Sequence, residues 1–202
     1  KTLLTVLPHV TTANHPVLLR GRHGIGKSSV VYQFADTVGL PVVERRASQM
    51  TEGDLLGLPK VDGGVTTFCA PDWLDRACNE PVILFLDEVD RATLEVRQGI
   101  FELCDSRKLA GNVLHPETLI FAAVNGGTHA GAASYQVGEM DPAELDRYTT
   151  FDVEPTVDDW ITWAAGTVDS MIVDFIRGEP AHLERYHDPE PNKVYPSLRS
   201  WV

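Results

Sequence analysis

The stretch "GRHGIGKSSVV", Gly21 to Val31, sets two glycines around four residues and follows them with a lysine and a serine. Gly21-x-x-x-x-Gly26-Lys27-Ser28 is the Walker A spacing, and each residue type has a use in it. Glycines let backbone N–H groups turn inward around phosphate oxygens. A helix starting at the lysine adds the partial positive charge of its N-terminus. Lys27 can pair with β- and γ-phosphates, and the Ser28 hydroxyl can ligate Mg²⁺. The candidate phosphate contacts are therefore Gly21, Arg22, His23, Gly24, Ile25, Gly26, Lys27, Ser28 and Ser29.

A second run, "ILFLDEVD", is four apolar residues followed by two acids, the Walker B pattern of a strand buried on both faces. Its end is where α/β sheets bind ligands. Asp87 there can hold Mg²⁺ through water, with Ser28 as the other metal-side residue. Glu88 beside it can orient an attacking water and take its proton. The next buried run, "IFAAVNGG", ends on Asn125. Its amide could position the same water, or it could simply open a strand-end turn; spacing leaves both open.

These residues need elements to hold them. "PVLLR" reads as a strand running straight into the glycine loop, and "SSVVYQFADTVG" as a helix burying Val30, Val31, Phe34 and Val38, with Gly39 as its C-cap. "KTLLTVL" is helical up to Pro8, and "LPVVERRA" is a strand. "DLLGLPKVDGGVTTF" carries an Asp62-Gly63 turn and predicts a small hairpin projecting from the core. "APDWLDRAC" and "ATLEVRQGIFELCDSR" predict helices, "TLIFAAVN" a strand, "DPAELDRY" a short helix, and "TFDVEP" a last strand. After Pro155 the pattern is helical. Strands alternating with helices predict a parallel sheet.

Charge narrows the partners. The 202 residues carry a net charge of −12, which argues against a broad nucleic-acid-binding face. Residues 151–202 hold 10 acids and 4 bases, as large a net charge as the preceding 150 residues with 19 and 13, and read as a separate unit. Cys69, Cys78 and Cys104 form no C-x-x-C pair and read as buried reduced thiols, which suits the cytoplasm. No apolar run approaches the roughly 18 residues of a membrane span. The N-terminus lacks a signal-peptide pattern and an initiator Met, and the native protein is expected to extend upstream.

The motifs in this order resemble an AAA+ ATPase of the MoxR branch. That branch carries GxPGxGKT/S, LLFLDEINRA, a strand ending in Asn, LPEAxLDRF and SPR; the counterparts here are "GRHGIGKSS", "ILFLDEVDRA", "IFAAVN", "MDPAELDRY" and "YPSLRSW". "SQMTEGDLLGLP" also matches the stretch before the family's helix-2 insert. The resemblance implies a P-loop NTPase three-layer αβα sandwich over residues 1–154 and a small helical lid over 155–202, incomplete at Val202. It implies ATP and Mg²⁺ as cofactors and the catalytic set Glu88, Asn125, Arg147 and Lys27. Asn125 matches sensor 1. Arg147 in "AELDRY" matches the arginine finger, which acts on a neighbouring subunit's nucleotide. Arg199 in "PSLRS" matches sensor 2, an ATP contact from the lid. The implied assembly is a homo-oligomeric ring, a hexamer, remodelling a protein partner that could carry a von Willebrand A domain. The chain departs from the pattern at Arg22-His23, at Asp90 where Asn is usual, and at Leu198 where Pro is usual.

Other groups read as structural. His182 and His187 sit five apart, wrong for one helix face. Arg45-Arg46 read as a solvated strand end, and Trp160 and Trp163 as core packing. For Arg147 the bland reading is a surface salt bridge to Asp146 or Glu144. Two rival functions remain: an AAA+ motor acting on DNA, against which the net charge speaks, and a nucleotide-gated scaffold, against which an intact Glu88 speaks.

Overall fold

The apolar runs pair side by side and in parallel. A computed structural model describes residues 2–125, 140–184 and 195–202. In chain order the first elements are α1 (Thr2–Thr12), β1 (Val17–Arg20), α2 (Lys27–Val38), β2 (Val42–Arg46), α3 (Glu52–Leu56), β3 (Leu58–Asp62), β4 (Val65–Cys69), α4 (Asp72–Asn79) and β5 (Ile83–Asp87). Then come α5 (Leu94–Ser106), β6 (Lys108–Leu109), β7 (Asn112–Val113), β8 (Leu119–Val124), α6 (Pro142–Leu145), β9 (Thr149–Asp152), α7 (Val157–Ala164) and α8 (Ser170–Gly178).

Five strands make one sheet in the order β2-β5-β8-β1-β9, every pair parallel. Side chains alternate faces along a strand, so each strand feeds two cores. Val17, Leu19, Ile83, Phe85, Phe121 and Ala123 face the side of α1 and α2, where Phe34 meets Phe121 with ring centroids 5.4 Å apart. Leu18, Leu84, Leu86, Ile120 and Ala122 face the other side, under Leu55 of α3, Trp73 and Leu74 of α4, and Ile100 and Leu103 of α5. Fully burying each Val, Leu, Ile or Phe side chain among them contributes roughly 1.5–3 kcal/mol. The result is the three-layer αβα sandwich with a parallel sheet that the motifs imply. A third cluster, Trp160, Ala164, Val173, Ile176, Leu183 and Leu198, belongs to α7, α8 and the segments after them.

Several expectations are corrected. Pro8 does not end α1, which runs on to Thr12. An interior proline costs about 3 kcal/mol. Burial of Leu3, Leu4, Leu7 and Val10 against the α2-side core offsets it, and the Thr12 hydroxyl donates to the Pro8 carbonyl at 2.8 Å. Val38 is 39% exposed; α2 buries Val31, Phe34 and Ala35 instead. The β3–β4 hairpin turns on Gly63-Gly64, not Asp62-Gly63: Asp62 pairs with Val65, and both glycines have positive φ, as a two-residue hairpin turn of the primed type requires. That hairpin is a separate two-stranded sheet, exposed along both strands. Cys69 is exposed on it and Cys78 only partly buried; Cys104 alone is buried, which pushes its thiol up to about 12. Trp160 is in the core, but Trp163 is 37% exposed. A short β6–β7 hairpin was not foreseen. The segment after Pro155 is helical over α7 and α8, with short 3-10 turns among the described residues beyond them.

Candidate nucleotide site

The site forms where β1, β5 and β8, neighbours in the sheet, reach their C-terminal ends. Strand parity aims the residues. On β5, Ile83 and Phe85 face α2, so Asp87 continues that face; on β8, Phe121 and Ala123 do the same for Asn125. Lys27 opens α2 on that side of the sheet.

The glycine loop between β1 and α2 is held tightly at its start. A Cβ on Gly21 would stand 2.5 Å from the Ile25 side chain and 2.8 Å from the Val153 carbonyl oxygen. Ile25 itself is 5% exposed and plugs the α2-side core. Gly24 and Gly26 take φ of +77° and +94°, a region that disfavours side chains. Gly26 is the N-cap of α2 and offers no side chain to cap it, so the first-turn N–H groups have no side-chain partner. Ser28 and Ser29 fall in that first turn. The result is a loop of backbone donors at a helix N-terminus, the ordinary cradle for an oxyanion.

Lys27 is 7% exposed. Its ammonium donates to the Gly21 and Arg22 carbonyls at 2.8 and 2.9 Å and to the Asn125 side-chain oxygen at 2.8 Å. Burial lowers it to about 8, against the opposing pull of Asp87 and Asp90. Burial likewise raises Asp87, opposed by the hydrogen bond from the Glu88 backbone N–H at 2.9 Å and by the charge of Lys27. Glu88 has φ of +57°, and its carboxylate accepts from the Ser48 hydroxyl at 2.5 Å. His23 stands at the exposed edge of the loop. What burial it has, then the charges of Arg199, Lys27 and Arg91, lower it below an ordinary histidine.

Arg199 is brought to this loop. A Cβ on Gly24 would meet Ser197 at 3.4 Å and Arg199 at 3.7 Å. A second link joins the loop to the helical segment: Arg22 pairs with Glu184 at 2.8 Å, both side chains largely covered. Arg147 lies elsewhere. It pairs with Asp105 at 2.5 Å and with Asp146 at 3.8 Å, and its guanidinium sits 5.2 Å from the Phe101 ring centroid. Glu144, one of its expected partners, is taken by Arg97.

The hard-oxygen donors the sequence suggests for a cation are the Ser28 hydroxyl and the Asp87 carboxylate. Among the described residues no group of three or more His, Cys, Asp or Glu gathers to hold a metal. Two hard oxygens suit magnesium, which keeps several waters and shares phosphate oxygens. Sequence reasoning missed Ser48 and the role of Asp90. Asp90 is 3% exposed and accepts the Asn125 backbone N–H at 2.9 Å. Arg45 pairs with Asp72 at 2.9 Å, as a solvated strand end would. His182 lies 5.6 Å from the Phe175 ring, while His187 and the Gly126-Gly127 of the suggested turn lie outside the described residues.

A parallel αβα sheet with a glycine loop after β1 and an Asp-Glu pair at the end of β5 defines a P-loop NTPase domain. Residues 16–147 match the AAA domain family, dynein-related subfamily. The chain belongs to that family, within the AAA+ P-loop NTPases, and is MoxR-like as its motifs suggest. It is 34% identical over 124 residues to midasin of Giardia intestinalis, covering 54% of this chain and 2% of midasin. It is 34% identical over 95 residues to protein NorQ of Paracoccus denitrificans strain Pd 1222, covering 46% of this chain and 35% of NorQ. The chain thus spans a minor part of both relatives. In fold it is similar to the RuvB Holliday junction branch migration motor of Thermotoga maritima, with a TM-score of 0.56 at 16% identity, covering 89% of this chain and 56% of that one. No helix among the described residues is long and apolar enough to cross a membrane.

Proposed function

We propose that this chain hydrolyses ATP in the presence of Mg²⁺, as one subunit of a ring that remodels a protein partner. The observation that carries the reading is the convergence of Lys27, Asp87, Glu88 and Asn125 at the ends of adjacent parallel strands beside the glycine loop. Backbone donors of the loop and the Lys27 ammonium take the β- and γ-phosphates. Glu88 accepts a proton from the attacking water, a task worth roughly 10²–10⁴ in rate. To do so its carboxylate must share or release the Ser48 hydroxyl. Asn125 orients the same water through its amide. Mg²⁺, held by Ser28 and Asp87, would neutralise phosphate charge when bound.

Residues 155–202 act as the lid, and Arg199 reaches the phosphates from it. Arg147, held away from its own loop by Asp105 and Phe101, acts on a neighbour's nucleotide. That assignment requires a ring, with six subunits as the family resemblance implies. A partner with a von Willebrand A domain follows from the same resemblance, and a cytoplasmic setting from three cysteines read as reduced thiols. Net charge of −12 supports a protein substrate over DNA.

The test is steady-state phosphate release from Mg²⁺-ATP across protein concentrations, with and without duplex DNA, beside Lys27→Ala. Turnover that rises with assembly, disappears in Lys27→Ala and ignores DNA is the expected result. No turnover above that of Lys27→Ala at any concentration overturns the ATPase reading. Strong stimulation by DNA overturns the choice of partner.

A further inference from the structure

Asp90 stands in the 3-10 turn Val89–Arg91 that follows Glu88. Its carboxylate is buried, and it is used on one side only. Oδ2 accepts the Asn125 backbone N–H at 2.9 Å, while Oδ1 is buried with no hydrogen-bond partner among the described residues. A buried carboxylate with an unpartnered oxygen is costly to keep, and packing alone gives no reason for a charge there.

We propose that Asp90 is the positioning residue for Asn125, clamping its backbone so that the amide holds one aim while its side-chain partner changes. The inference rests on the ATPase reading above. Asn125 is the first residue after β8, where strand pairing stops. Gly21 donates to the Val124 carbonyl at 3.2 Å, so sheet bonding from β1 reaches only the preceding residue. The Asn125 N–H is taken by Asp90 instead. On its other side Asn125 receives the Lys27 ammonium at 2.8 Å.

That second bond is the one nucleotide binding must disturb, because Lys27 is also the cation meant for the phosphates. When Lys27 turns to them, the amide loses a partner and must re-aim by side-chain rotation alone. A backbone held independently of Lys27 confines the change to the side chain. Asp90 supplies that hold from the same short turn that carries Glu88, so the water-orienting amide and the proton acceptor share one support. Asp90 touches neither phosphate nor water in this scheme.

The experiment compares Asp90→Ala and Asp90→Asn with the natural chain in three measurements. These are kcat for ATP, the dissociation constant of a fluorescent ATP analogue, and nucleotide-free hydrogen exchange of the Asn125 backbone amide. Misplacing a reacting group by about an ångström costs on the order of 10²-fold, so Asp90→Ala is expected to lose roughly 10- to 100-fold in kcat. Its nucleotide affinity should stay within about twofold, since uniform binding is untouched. Its Asn125 amide should exchange faster while Leu119–Val124 stay protected. Asp90→Asn, which keeps an acceptor oxygen, should recover most of both losses. If Asp90→Ala does not fold, Asp90→Leu, of the same branched shape and without an acceptor, replaces it. Unchanged kcat, or affinity falling in step with kcat, overturns the proposal, as does an Asn variant no better than Ala. Should the natural chain hydrolyse no ATP, the ATPase reading fails by itself. The amide exchange then still decides the clamp, and unchanged exchange in Asp90→Ala overturns it.

Discussion

Lys27 and Asn125 are joined directly: the buried ammonium donates to the amide oxygen at 2.8 Å across 98 residues of sequence. The same ammonium holds the Gly21 and Arg22 carbonyls, so the phosphate loop and the end of β8 share one cation. A phosphate arriving in the loop competes with these three acceptors, and a gain for phosphate is a loss for Asn125.

From that competition follows a split between two variants. Lys27→Ala removes the cation that pairs with phosphate and should lose nucleotide binding outright. Glu88→Gln keeps the cation and the loop, but its amide takes no proton from water; it should bind normally and lose about 10²–10⁴ in turnover. Fluorescent-nucleotide titration and phosphate release measure the two separately. Equal loss of binding in both variants would contradict the roles.

Stability should depend on pH through Lys27. Its folded-state value is about 8, below the ordinary 10.5, because burial disfavours the charge. Below about 8 both folded and unfolded chains keep the proton, and the burial cost is present in full. Between about 8 and 10.5 the unfolded chain holds the proton and the folded chain has released it, so rising pH relieves the cost. The whole shift corresponds to at most about 3 kcal/mol. Urea unfolding of the natural chain and of Lys27→Met should therefore show the natural chain gaining relative stability from pH 7.5 to 10, since other groups cancel in the difference. A flat difference would show that Lys27 is not the source.

Arg22 and Glu184 tie the glycine loop to the segment after α8, 162 residues away, with side-chain exposures of 24% and 18%. A double-mutant cycle should give a coupling of roughly 1 kcal/mol, the upper end for a pair not fully buried. Because Ser197 and Arg199 rest on Gly24 nearby, loosening this tie should free the helical segment proposed as the lid. Glu184→Ala is expected to release nucleotide several-fold faster in a stopped-flow chase. Unchanged release with a measurable coupling would leave the pair as a brace of the fold and not of the lid.

Arg147 is stacked over Phe101 and paired with Asp105 in this chain, on the α5 side of the sandwich. Arg147→Ala should bind ATP and assemble, yet hydrolyse poorly, since a missing arginine finger costs about 10³–10⁵ in rate. Mixing it with Lys27→Ala brings an intact loop from one subunit beside an intact arginine from the other, and mixed rings should recover activity. Mixed rings, shown to form by native mass spectrometry, that stay inactive would rule out action in trans.

What could be read from the sequence was local. Gly21, Gly26, Lys27 and Ser28 announce a phosphate loop because backbone freedom, charge and hydroxyl fall within eight residues. "ILFLDE" announces a buried strand ending in acids because side-chain alternation is a property of one strand. The parallel sheet followed from the order of such runs, and the three-layer sandwich from the family resemblance. The errors came where distant burial overrode a local rule. Pro8 sits inside α1 because the apolar face of that helix is covered by the sheet, and Val38 is exposed because the α2-side core ends before it. The links that assemble the candidate site are of another kind. Asp90 to Asn125 spans 35 residues, Ser48 to Glu88 spans 40, and Arg22 to Glu184 spans 162. None has a periodicity to betray it. Each exists because strand register and the seating of the helical segment on the loop bring particular atoms within hydrogen-bond reach, and those are set by summed packing over the whole chain, not by any residue's neighbours in sequence.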